Sequence, residues 1–239
     1  MSALDLPQPE LNAPEPIAPD LVAEDLACRR GARVVFVGVS FRLPAGGALL
    51  LTGGNGSGKS SLLRLAAGLL APAAGRLSWG ERLVAADLAQ HHARLHYVGH
   101  QDAVKPTMTP RETLTFWAAL RGRRGAMAQA IENALAAFAL DPVADWPCRW
   151  LSAGQRRRLA LARLLVAPAA LWLLDEPTSA LDADGQERLE RVIAAHRTNG
   201  GRVLLATHLP LAIDHAQTLV LDGFAPASDP ALTLSALTL

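Results

Sequence analysis

The segment Gly53-Gly54-Asn55-Gly56-Ser57-Gly58-Lys59-Ser60 combines residue types and spacing suited to gripping a phosphate chain. It satisfies G-x-x-x-x-G-K-[ST] and lies between an apolar run, Ala48–Thr52, and a second apolar run with helical character that begins at Ser61. Glycines at 53, 54, 56 and 58 are expected to permit positive φ angles, so that successive N–H groups turn inward toward an anion. A helix opening near Lys59 adds unpaired N–H groups and the positive end of its dipole. Lys59 is placed to reach the terminal phosphates, and the Ser60 hydroxyl to hold Mg²⁺. The pattern predicts a nucleoside-triphosphate site, with Gly53, Gly54, Asn55, Gly56, Ser57, Gly58, Lys59 and Ser60 as its binding residues.

Two acids extend this chemistry. Ala170-Leu171-Trp172-Leu173-Leu174 is wholly apolar, as expected of a strand buried on both faces, and it ends in Asp175-Glu176. Asp175 is placed to complete a Mg²⁺ shell and Glu176 to polarise an attacking water. Leu151-Ser152-Ala153-Gly154-Gln155 opens a further predicted helix, where a serine beside glycine makes another anion site.

The elements that must position these groups follow from the pattern. Short β-type runs fill 21–43, with Val34–Val37 and Val39–Leu43 read as separate pieces. Further strands are expected near 76–79, 95–99, 202–206 and 218–221. Helices are expected at about 110–121, 126–140, 154–166 and 184–197, the first with Thr109 as N-cap, Pro110 at N1 and Glu112 closing a capping box. Strands alternating with helices around a phosphate loop give an α/β fold with a mostly parallel sheet. An N-terminal antiparallel β subdomain and an inserted α-helical subdomain at about 102–165 complete it. Residues 1–20, rich in proline and acids, read as a disordered leader, and 21–239 as a single domain.

Composition sets bounds. A formal net charge of +1 gives no general pull toward nucleic acid, and none is expected as a partner. Two cysteines, Cys28 and Cys148, make no disulfide framework and suit a reducing compartment. No signal peptide or membrane span is evident, because Arg163 and Pro168 interrupt the longest apolar stretch.

Taken in order, these motifs resemble those of the ATP-binding-cassette (ABC) ATPases over roughly 21–222. Leu151–Gln155 resembles the family's signature loop, Ser179-Ala180-Leu181-Asp182 its D-loop, His208 its switch histidine and Gln101 its Q-loop glutamine. The resemblance implies a head-to-tail homodimer with ATP at the interface, where Ser152, Gly154 and Gln155 meet the partner's ATP. It also implies that Glu176 and His208 serve hydrolysis, that Asp182 couples the two sites, and that Gln101 senses Mg²⁺ and nucleotide. An integral membrane subunit would dock at the junction with the helical subdomain. Two positions depart from the family pattern: Ala153 replaces a signature glycine, and Arg30 stands where many relatives stack an aromatic ring on adenine.

Within the family, the Leu95–Lys105 stretch, with Gly99-His100 before Gln101 and Lys105 shortly after, the Leu151–Ala160 stretch, the small helical insert and the end of the likeness after Asp222 resemble the ATP-binding subunits of bacterial haem exporters used in cytochrome c maturation. That likeness implies a peripheral subunit on the cytoplasmic side of the inner membrane, meeting haem only indirectly. A subunit for another solute is the alternative, and a soluble non-transport ABC ATPase a more distant one. His91, His92, His96 and His100 are read as structural rather than haem ligands, with His91-His92 in a polar connection. Trp117, Trp146, Trp150 and Trp172 are read as core or subunit contacts. The Arg156-Arg157-Arg158 run is read as a solvated or subunit-facing surface.

Overall fold

The computed structural model describes residues 19–122, 127–208 and 211–226. The leader reading falls almost wholly on residues outside this set. Its last two residues are engaged in the fold: Asp20 O accepts from Gly80 N at 2.8 Å and Pro19 O accepts from Arg202 Nη2 at 3.1 Å.

Two sheets form the frame. An antiparallel sheet comprises β1 (Leu21–Arg30), β2 (Arg33–Leu43), β4 (Ala74–Trp79) and β5 (Arg82–Leu83), in the order β2-β1-β4-β5. A parallel sheet comprises β3 (Ala48–Thr52), β6 (Leu95–Val98), β7 (Leu171–Asp175), β8 (Arg202–Ala206) and β9 (Gln217–Val220), in the order β6-β7-β8-β3-β9. The helices are α1 (Lys59–Ala66), α2 (Leu88–Ala93), α3 (Pro110–Leu120), α4 (Met127–Ala137), α5 (Ala153–Ala162) and α6 (Ala183–Thr198).

Alternation along β7 explains the layering. Leu171 and Leu173 pack into a core shared with the antiparallel sheet and with Leu62, Leu63 and Leu65 of α1. Trp172 and Leu174 face the other way, joining Leu189 and Ile193 of α6 and the apolar faces of α3, α4 and α5. With a period of two, one apolar strand thus feeds two cores. The expected capping box is present: Thr109 accepts from Glu112 N, and Glu112 accepts from Thr109 N.

Three local readings change. The runs either side of Gly38 form one continuous strand, β2. Gly38 takes φ +79°, and two β2 residues, Val37 and Gly38, oppose Ala27 alone of β1 between the Leu26–Val39 and Cys28–Phe36 pairs, so the glycine makes a bulge rather than a break. His91-His92 lies on a helix, α2. His91 is buried there, accepting from Trp79 Nε1 at 3.0 Å and standing 2.9 Å from Ala66 O. Trp146 and Trp150 are exposed, whereas Trp172 is buried.

Trp172 stacks flat on His196, with ring centroids 3.7 Å apart and planes 2° apart. Gly201 makes room, since a Cβ there would lie 2.1 Å from the imidazole. Burial, reinforced by Arg202, lowers the His196 pKa to about 4 although its contact with Arg202 O opposes the shift. Burial likewise lowers His96 to about 4, with Arg121 and Arg163 adding to it against the Ala167 carbonyl. The unfolded chain takes up these protons below the ordinary value of 6.5, while the folded chain refuses them until about pH 4. Stability is therefore intact above 6.5 and lost as pH falls through this window. Denaturant midpoints should drop between pH 7.5 and pH 5 by the equivalent of about 1–3 kcal/mol. His196→Phe, which keeps the stack, should flatten part of that dependence; an unchanged profile would refute the assignment.

Candidate functional site

Parallel pairing brings the ends of β3, β7 and β8 to one edge, with Leu51 and Asp175 both paired to Ala206 of β8. The loop after β3 carries residues 53–58 into α1, and Gly58 caps that helix at φ +107°. Gly53 and Gly56 also have positive φ, at +135° and +82°. Gly54 does not, contrary to expectation. Its distinguishing feature is an N–H that donates to the Asp222 carboxylate at 3.0 and 3.1 Å. The sequence gives no sign of this contact, because Asp222 follows the phosphate loop by most of the chain's length.

Lys59 is buried at the start of α1, and its Nζ donates to Gly53 O at 2.8 Å and Gly54 O at 3.0 Å. Ser60 Oγ donates to Asp175 Oδ1 at 3.0 Å, joining the loop to the end of β7. Ser57 Oγ is buried with no hydrogen-bond partner among the described residues. Glu176 has a left-handed backbone, φ +48°, and its N–H donates to Ala206 O at 2.9 Å. One of its carboxylate oxygens accepts from His208 N at 3.3 Å, and the other lies 3.3 Å from His208 Nε2.

These groups surround a cleft of about 390 Å³ lined by Asn55, Gly56, Gly58, Lys59, Ser60, Glu176 and His208. Arg30, Arg33 and Val35 of the antiparallel sheet line its far side. The cleft thus has a cationic, N–H-rich floor and Glu176 at its lining with a histidine beside it, Asp175 standing behind Ser60. It can hold a polyphosphate and present a carboxylate to its end.

The remaining expected residues stand apart from this cleft. Gln101 is exposed just beyond β6. Ser152 caps α5, accepting from Gln155 N at 3.1 Å while Gln155 Oε1 accepts from Ser152 N at 2.8 Å. Ala153 lies within the first turn of α5, outside the positive-φ residues, so the missing signature glycine costs no strain. Gly154 is required by contact, because a Cβ there would stand 3.0 Å from Ala180 O. Asp182 caps α6 through Gly185 N at 2.8 Å. The chain therefore carries a phosphate cleft and, separately, a second helix N-terminus beside the 179–182 turn.

Comparison with known proteins agrees with this arrangement. The family model described as ABC transporter matches residues 36–179. The chain belongs to the ABC transporter family. It is an ATP-binding domain of that family's hydrolytic type, and ABC ATPases of this kind pair with one another and act with membrane subunits. It is 58% identical to the "Cytochrome c biogenesis ATP-binding export protein CcmA" of Rhodospirillum rubrum, covering 84% of this chain and 85% of that protein. A protein of the same name from Paramagnetospirillum magneticum is 54% identical over 86% and 95%. In fold the chain is similar to a putative ABC transporter ATP-binding protein from Pyrococcus furiosus, with TM-score 0.76 and 20% identity, covering 87% of this chain and 100% of that one. A dimeric ATP-binding cassette in a post-hydrolysis state with ADP and phosphate gives TM-score 0.69 at 23% identity, covering 79% and 88%.

The basic run at 156–158 is the clearest correction. Arg157 is 2% exposed rather than solvated. Arg156 and Arg158 donate to backbone carbonyls of Leu151 and Phe138. Arg163, which breaks an apolar stretch, is also buried. It donates to Tyr97 O at 2.6 Å and lies over the Trp117 ring at 4.7 Å, while burial lowers its pKa to about 10. Together with Leu69, His96, Leu120 and Arg121 it lines a groove of about 300 Å³ beside β6. Among the described residues no helix is long and apolar enough to cross a membrane.

A Cβ at Gly58 would stand 2.7 Å from Val35 and 2.8 Å from Phe36, at a φ that strains any other residue. Gly58→Ala should therefore weaken ATP binding at least tenfold in a direct titration while the far-ultraviolet spectrum stays folded. Parental affinity in that variant would contradict the loop geometry described.

Proposed function

We propose that this chain is the ATP-hydrolysing subunit of a bacterial exporter that serves the biogenesis of c-type cytochromes. The observation that carries this reading is the run of export proteins of that name at 58% and 54% identity, matched over most of both chains. On this reading the subunit sits peripherally at the cytoplasmic face of the inner membrane and meets haem only indirectly. The burial of His91 and His96 supports the last point for two of the four clustered histidines, whereas His92 and His100 are exposed.

Two copies pack head to tail. Lys59 and the N–H groups of residues 53–60 hold the triphosphate of one copy, and Ser152, Gly154 and Gln155 of the other copy close on its terminal phosphate. Support for this division is that the start of α5 does not line the cleft formed at the start of α1, although each is an N–H-rich helix N-terminus. Glu176 orients the attacking water and takes its proton, and His208 steadies the glutamate and the terminal phosphate. Asp182, in the turn that touches Gly154, links the two sites.

Mg²⁺ fits the residues available. A hydroxyl and a carboxylate 3.0 Å apart, Ser60 and Asp175, are the hard oxygen donors this ion takes from proteins, the rest coming from phosphate and water. Among the described residues no group of three His, Cys, Asp or Glu side chains offers a self-sufficient metal cage. When bound, the ion would neutralise charge on the phosphate oxygens, with Gln101 contributing to its shell. The membrane subunit docks on the groove beside β6, where exposed Leu69 and Leu120 flank buried Arg163.

The direct test is complementation. Cells lacking this gene should lose covalently haem-stained c-type cytochromes, regain them with the parent gene, and fail to regain them with Lys59→Ala expressed at equal level. Normal cytochrome c in the deleted strain would overturn the export assignment and point to another solute.

A further inference from the structure

We propose that Arg157 is a positioning residue for hydrolysis, holding Glu176 in the backbone conformation that aims its carboxylate at the cleft. The inference rests on the role given to Glu176 above and adds a residue to that machinery.

All five N–H donors of the buried guanidinium are used. Nη2 donates to Asp175 O at 2.9 Å and to Glu176 O at 2.7 Å. Nε donates to Pro177 O at 3.2 Å. Nη1 donates to Gly99 O and to Asp102 Oδ1, both at 3.1 Å. Three of these acceptors are the consecutive carbonyls around one residue, and that residue is Glu176 at φ +48°. A left-handed conformation at a non-glycine costs on the order of 1–3 kcal/mol and persists only where its surroundings fix it. Charge-assisted bonds on both sides of the strained residue supply that restraint.

The other two acceptors extend the argument. Gly99 and Asp102 bracket the turn that carries Gln101, and Ala103, next in line, is also left-handed at φ +53°. Arg157 itself stands on α5, one turn beyond the Ser152 cap. A planar five-donor fork therefore ties three pieces together: the signature-like helix, the Gln101 turn and the strained glutamate. Neither lysine nor glutamine presents five donors in one plane. Displacing α5 at its N-terminus would be transmitted through this fork to the carboxylate, so closure of the second copy's anion site and alignment of Glu176 become one event.

The test is a double-mutant cycle on the full chain, with ATP turnover and nucleotide affinity measured together. Arg157→Met should lower kcat at least tenfold with KM and ATP affinity changed less than threefold. Arg157→Lys, which keeps a charge but not the fork, should recover only part of the loss. In the Glu176→Gln background, Arg157→Met should lower the residual turnover less than twofold, because the group it positions is already disabled. Equal losses in both backgrounds, or parallel losses of kcat and affinity, would overturn the proposal alone. Parental turnover in Glu176→Gln by itself would overturn the glutamate's role and the proposal with it. Should Arg157→Met not be recovered folded, Arg157→Lys decides: a kcat within twofold of the parent would refute the positioning role.

Discussion

Five parallel strands end along one edge of a sheet whose central members are buried on both faces, and their register governs everything the chain can do. Pairing of Leu51 and Asp175 with the same residue, Ala206, leaves the chain no choice about which loops meet. A slip of one residue in β7 would exchange Trp172 and Leu174 with Leu171 and Leu173, sending each set into the wrong core. Register is thus enforced by apolar packing far from the cleft, and the Ser60–Asp175 hydrogen bond is its chemical consequence. The proposed function rests on that edge because it brings the Lys59 loop, Glu176 and the Ser60–Asp175 pair into one small volume.

Buried arginines are the second theme. Arg157, Arg163 and Arg202 are each less than a tenth exposed, and each donates to main-chain carbonyls at or near strand ends. A buried guanidinium without partners would cost several kcal/mol, so these contacts decide whether such residues are tolerable at all. Arg202 joins the first described residues to the end of β2 through Pro19 O and Leu43 O. Arg163 joins the end of α5 to β6, and Arg157 joins α5 to the glutamate. At these three places a planar, charged fork ties together backbone segments that are distant in sequence.

Much of the fold and most of the phosphate cleft were legible in the sequence, for physical reasons that particular residues illustrate. The phosphate loop is local: eight consecutive residues contain both its glycines and its cation, so spacing alone identifies it. The Thr109 capping box is equally local, and it forms as expected. Gly38 misled because a bulge and a break place the same demand on φ. The His91-His92 helix was missed because six residues show too little periodicity to separate a helix from a polar connection. Arg157 was misread because three adjacent arginines look like a solvated face, whereas its acceptors lie 18 to 58 positions away in sequence. Asp222, which holds Gly54 from 168 positions away, leaves no local trace at all. What escapes the sequence is side-chain-to-backbone bonding over long separations.

The account stands or falls on ATP serving as the joint between two copies of the chain. The most direct measurement is the molar mass of the Glu176→Gln protein by light scattering, with and without saturating Mg-ATP. A shift from monomer to dimer on adding ATP, reversed when ATP is replaced by ADP, is the predicted result. A mass that stays at 25.3 kDa with ATP bound would contradict it.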